Sequence, residues 1–166
     1  MNVKTGNVAR PSTSSPQNLC AKATWNQKGI TIAGGNGYGS ALNQLDDPTD
    51  MALDSSGNLY IADSGNSRIL KTVKKTGKVT ILVSEIAPYN LFFDKSYTYL
   101  YYTDQTNSRV QKLNIKSGIQ TTVAGIVSNS NADQLSQPTG LYVDSHGAVY
   151  VADGAKDDVL KFKAGR

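Results

Sequence analysis

Residues 48–71 read PTDMALDSSGNLYIADSGNSRILK, and the pattern recurs as PYNLFFDKSYTYLYYTDQTNSRVQK from Pro88 and PTGLYVDSHGAVYVADGAKDDVLK from Pro138. Each copy opens on a proline and runs through a hydrophobic stretch into an aspartate turn. A second stretch follows and closes on a second aspartate. The prolines stand 40 and 50 residues apart. Asp54, Asp94 and Asp144 each fall six residues after their proline, and Asp63, Asp104 and Asp153 follow it by fifteen, sixteen and fifteen. Between the aspartates lie NLYIA, TYLYYT and AVYVA, rich in β-branched and aromatic residues with partial alternation. RILKT, RVQKL and DVLKF alternate again, and VTILV and QTTVA complete the first two units. Four short antiparallel strands in a unit of about forty residues make the blade of a β-propeller. The chain is therefore expected to be all-β, with blades over 48–83, 88–124 and 138–163. No window sustains a 3.6-residue apolar period, so almost no helix is expected.

The connectors repeat as well. ITIAGGNGYGSALNQLDDP, residues 30–48, parallels TTVAGIVSNSNADQLSQP, residues 121–138, whereas SEIAP between the first two blades is much shorter. Residues 22–33 are thus expected to form an outer strand for a blade whose other strands lie elsewhere. The third repeat ends after three strands. Three blades fall short of the roughly four to eight of a typical propeller. Two solutions remain open: a homodimer whose two half-rings complete six blades, each copy donating its first strand, or a piece of a longer propeller with open edges.

Composition sets outer bounds. The 166 residues suffice for one domain with a real core. No stretch approaches the ~18 apolar residues of a membrane-spanning helix. Residues 1–19 are expected to form a flexible arm ahead of a propeller module over 20–166. The arm lacks the apolar centre of a secretory signal, which points to the cytoplasm if the chain is complete. Cys20 is the sole cysteine, so neither an intrachain disulfide nor a cysteine zinc site is available; it is expected to pack at a strand start. Net charge is a mild +4, and Lys71, Lys74, Lys75 and Lys78 gather on one outer hairpin. Solvated lysines that protect an edge strand account for them. A nucleic-acid module would show a clearer basic stripe with stacking aromatics.

The run P-x-x-[LM]-x-[LV]-D-x-x-G-x-[LV]-Y-[IV]-A-D-S-G-N-S-R-[IV], followed almost throughout by residues 48–70, resembles the NHL repeat. The second copy keeps Asp104, Asn107, Arg109 and Val110 but has DKSYTY in place of the glycine turn. The third keeps DSHG and VYVAD, yet Asp158 stands where Arg68 and Arg109 stand. The resemblance spans roughly residues 30–163. It implies a binding platform for RNA or protein; a minority of six-bladed relatives are metal-dependent lyases or lactonases.

Candidate sites divide into scaffold and rim. Asp54, Asp94 and Asp144 suit calcium by chemistry, but Asp first and Gly last is also what a type I turn wants, and residues in separate blades cannot converge on one ion. Asp63 with Arg68, Asp104 with Arg109, and Asp153 are read as structural positions, with a guanidinium fork satisfying several acceptors around the turn. The rival reading points both arginines at a ligand such as phosphate. No catalytic residue, metal or cofactor is assigned: His146 is a lone turn histidine, and Glu85, Asp50 and Asn90 offer only a weak divalent-ion site. GGNGYG, residues 34–39, lacks the following helix and Lys-Ser/Thr of a phosphate loop and reads as a connector. The rim formed by connectors and by turns between second and third strands would carry Asn36, Tyr38, Asn66, Tyr89, Asn90, Gln105, Asn107, Lys156 and the 126–137 loop. Tyr and Asn on a rigid scaffold suit adaptable recognition. A non-catalytic module for protein or peptide recognition ranks first, with carbohydrate as a variant. RNA binding and then a metal-dependent enzyme follow.

Overall fold

Among the described residues, eleven strands form three antiparallel sheets, each built from successive hairpins. The structure, a computed structural model, describes residues 24, 26–125 and 134–164. Blade 1 comprises β1 (Pro48–Leu53), β2 (Leu59–Asp63), β3 (Arg68–Thr72) and β4 (Val79–Ser84). Blade 2 comprises β5 (Pro88–Phe93), β6 (Tyr99–Asp104), β7 (Arg109–Asn114) and β8 (Gln120–Ala124). Blade 3 has three strands, β9 (Pro138–Val143), β10 (Val149–Asp153) and β11 (Asp158–Phe162). The only helical element among the described residues is a 3-10 turn at Ser64–Asn66. First strands lie next to one another, β1 beside β5 and β5 beside β9, so they are innermost and β4 and β8 outermost.

The chain divides into two compact units, Met1–Thr31 and Ile32–Arg166, and all three blades belong to the second. In the first, the described residues 24 and 26–31 form neither helix nor strand. The strand expected at 22–33 is therefore absent from its described residues. A strand exists only through a ladder partner, and residues 26–33 have none. The arm expected at 1–19 and the packing expected of Cys20 fall outside the described residues.

Period-two alternation decides what each blade offers its neighbours. Ala52, Tyr60, Ala62, Ile69 and Val83 of blade 1 pack with Leu91, Leu100, Tyr102 and Leu113 of blade 2; Ile86, on the path between the blades, closes this cluster. Tyr101, Val110, Ala124 and Leu135 likewise meet Val143, Val149 and Val151 between blades 2 and 3. The Tyr60 ring meets Phe93 edge-on at 4.9 Å across the first interface, a geometry that adds about 0.5–1.5 kcal/mol to simple burial. A third cluster, Leu59, Ile61 and Leu70 with Ala33, Leu45 and Val79, occupies the other face of blade 1. The exit from β8 needs glycine: Gly125 has φ +77°, and a Cβ there would lie 2.3 Å from the Ser108 carbonyl oxygen.

Candidate functional site: the connector rim

Contacts between blades fix which ends lie together. Asp50 Oδ2 accepts from Asn90 Nδ2 at 2.7 Å and from the Leu91 amide at 2.7 Å, and Thr49 Oγ1 donates to the Pro88 carbonyl at 3.2 Å. Gln105 Nε2 donates to the Pro138 carbonyl at 3.1 Å. The starts of β1, β5 and β9 thus share one end with the connectors and with the turns that follow β2, β6 and β10. That end is the rim.

At the rim, each blade uses the aspartate closing its second strand as a clamp on incoming chain. Buried Asp63 accepts the Asp46 amide at 2.8 Å, Asp104 accepts the Ala87 amide at 3.4 Å, and Asp153 accepts the Ser136 and Gln137 amides at 2.7 and 2.8 Å. Arg68 Nε reaches Asp63 at 2.6 Å, while its Nη1 and Nη2 donate to the carbonyls of Ser40, Ala41 and Gln44. The guanidinium is spent on the connector, which leaves no fork for phosphate. Arg109 pairs with Asp104 at 3.0 Å and is more exposed. In blade 3, where Asp158 replaces the arginine, Lys156 Nζ donates to the Gln134 carbonyl and takes over the hold on the connector.

The eight rim candidates separate accordingly. Asn36 ties the Gly34 and Asn43 carbonyls, Asn66 binds Asp63 and the Gly39 carbonyl, and Asn107 binds Asp104. Asn90 and Gln105 link neighbouring blades, and Lys156 holds its connector. These six side chains are committed to the scaffold. Tyr38 and Tyr89 present their rings to solvent, at 81% and 42% exposure. Of the 126–137 loop, residues 126–133 lie outside the described residues.

The balance of charge differs between the two ends. The connectors and turns of the rim carry Asp46, Asp47, Glu85, Asp157 and Asp158 in addition to the clamping aspartates, against Arg68, Arg109 and Lys156. The turns and strand exits at the opposite end carry the exposed Lys74, Lys75, Lys78, Lys95, Lys116 and Lys163 against Asp54, Asp94 and Asp144, so that end is positive on balance. Strand direction makes this legible in sequence: alternate turns fall on opposite ends, so summing charge turn by turn would have revealed the polarity that the net value hides.

At the lysine end the first aspartate of each repeat closes its own turn. Asp54 Oδ1 accepts the amides of Ser56 and Asn58, each at 2.9 Å, and Asp144 accepts those of His146 and Ala148 at the same distance. Burial raises the Asp54 pKa, but bonds from Asn58, Ser56 and Tyr60 outweigh it and hold the carboxyl below its usual range. At Asp144 the Ala148 amide is the main cause of a similar lowering. No group of three His, Cys, Asp or Glu side chains placed to hold a metal occurs among the described residues.

Three antiparallel sheets with adjacent first strands and aspartate-clamped turns define blades of the β-propeller kind. Residues 45–71, from the end of the connector into β3 of blade 1, match the NHL repeat. None of the curated proteins matches the chain by sequence. Among solved structures, a gluconolactonase from Xanthomonas campestris is similar at 18% identity and a TM-score of 0.56 over 66% of this chain and 36% of its own. A virginiamycin B lyase from Staphylococcus aureus is similar at 14% identity and TM-score 0.51, over 72% of this chain and 42% of its own. A chain of a nidogen/laminin complex is similar at 16% identity and TM-score 0.57, over 72% and 44%. The chain spans less than half the length of each of these three, and at such identities the likeness is one of fold.

Proposed function

We infer that the chain is a non-catalytic recognition module whose connector rim receives a protein or peptide. The observation that carries this reading is the pairing of a locked frame with two free aromatic rings. Six polar side chains and three aspartate clamps hold the rim rigid, while Tyr38 and Tyr89 stand exposed on it. Tyrosine offers large contact area at low entropic cost, which a preorganised frame turns into affinity. The acidic rim favours a basic partner segment. The nidogen/laminin likeness is consistent with this use of the fold, since that propeller belongs to a protein–protein complex.

Selection of the purified chain against a displayed random-peptide library tests the reading. Enriched peptides should carry Lys or Arg, and Tyr38→Ala with Tyr89→Ala should weaken them at least tenfold without shifting the Tm. Calcium-dependent hydrolysis of a sugar lactone would replace this reading with an enzymatic one. The six exposed lysines at the opposite end favour RNA as the second reading, marked by single-strand affinity that falls steeply with salt.

A further inference from the structure

Both interfaces between blades are built to one plan, and the chain holds the two halves of a third. At the first interface the earlier blade offers the pair Ala52 and Tyr60 and the pair Ala62 and Ile69. At the second the equivalent pairs are Phe92 with Tyr101 and Thr103 with Val110. Blade 3 carries the same positions as Tyr142 with Tyr150 and Ala152 with Val159; apart from an edge-on contact of Tyr142 with Phe92 near the inner strands, no later blade covers them among the described residues. Ile69 and Val110 are fully buried, whereas Val159 is 71% exposed. The lysines follow the same plan: Lys71 lies over Tyr60 at 5.2 Å, Lys112 over Tyr101 at 5.8 Å, and Lys161 over Tyr150 at 4.8 Å.

The later blade and its connector make the complementary half. Leu45 stands where Ile86 and Leu135 plug the two complete interfaces, and Ala33 where Val83 and Ala124 stand. With Leu59, Ile61 and Leu70 they form a core cluster that, among the described residues, has no earlier blade against it. An apolar groove of about 360 Å³ runs along this face beside Pro48 and Met51, and Leu53, the equivalent of Phe93, is 56% exposed.

We propose that these two faces bind each other between two copies of this chain, blade 3 of each against blade 1 of the other. Two such contacts related by a two-fold axis close a ring of six blades. In this ring Val159 and Tyr150 of one copy cover Ile61, Leu70 and Leu53 of its partner, as Ile69 and Tyr60 cover blade 2. Ile32-Ala33-Gly34 parallels Val123-Ala124-Gly125 after β8, so the segment ending there would supply the missing fourth strand along the free edge of β11 in the partner copy. A second copy is the fitting occupant because both halves of the repeated interface are present on one sequence. Closure by rotation also leaves neither face open, as point-group assembly requires. The proposal is independent of which ligand the rim takes.

Light scattering coupled to gel filtration tests it on the 166-residue chain. The expected mass is twice 17.8 kDa. Val159→Asp and, separately, Leu53→Asp should each return the mass to that of one chain with an unchanged far-UV circular dichroism spectrum, because both side chains are exposed in the single copy. A monomeric wild-type chain at 100 µM would overturn the proposal, whatever else it binds. So would an open series of larger species, or a dimer that both aspartate variants leave intact.

Discussion

Gln111 occupies the position that leucine holds in the other two blades, as Leu70 and Leu160, and it is buried with its Oε1 lacking a partner among the described residues. An unmet buried acceptor costs about 1–3 kcal/mol. Gln111→Leu should therefore raise stability by about 1 kcal/mol, a Tm gain of about 2–4 °C for a domain of this size; calorimetry would show it, and a lowered Tm would mean that the amide is served by ordered water. Tyr102, fully buried opposite Gln111 in the ladder, gives a pH dependence. Burial, reinforced by the nearby Asp104 charge, pushes its phenol up to about 12 from the ordinary 10.0. The folded state thus holds this proton more tightly than the unfolded chain does. The associated stability is complete below pH 10 and is lost as pH rises from 10 towards 12. Denaturant unfolding across that window should show the fall, and Tyr102→Phe should lessen it.

At the scale of the turn and its strands, the aspartate–arginine unit separates two nearly identical sequences. DSGNSR and DQTNSR look interchangeable, yet Arg68 is buried and holds three connector carbonyls, whereas among the described residues Arg109 holds only Asp104. Arg68→Ala leaves Asp63 as an unpaired buried charge, a loss of about 3–5 kcal/mol. Arg109→Ala, at a site a third exposed, should cost about 1 kcal/mol. Equal Tm shifts in the two variants would refute the difference. Sequence spacing showed the blades because two-residue alternation and the repeated aspartates are local properties, carried by runs such as NLYIA and RVQKL. Residues 22–33 have the same local character, but strand formation depends on a ladder neighbour that the spacing does not supply. The rim amides misled for a related reason. Whether Asn66 or Gln105 is free depends on carbonyls brought to it by a connector or the next blade, Gly39 and Pro138.

For the molecule as a whole, the two-ended charge pattern has a consequence for recognition. Opposite balances at opposite ends partly cancel in the net +4, while each end keeps its own field. Binding of a lysine-rich peptide at the rim should weaken as salt rises. Replacement of Asp46 and Asp47 by asparagine should slow its association while leaving dissociation nearly unchanged. Stopped-flow binding would separate the two rates, and a change confined to dissociation would place the peptide elsewhere.

The clamping aspartates also set the order in which the chain can be fastened. Asp63, Asp104 and Asp153 each grip backbone that precedes them by 16 or 17 residues, so a connector is secured only after the first hairpin of its own blade has formed. Every such closure is short-range, and none waits for a distant part of the chain. Short loops of this kind lower contact order and favour rapid, blade-by-blade folding. Each blade can be locked in place as soon as its second strand has been synthesised.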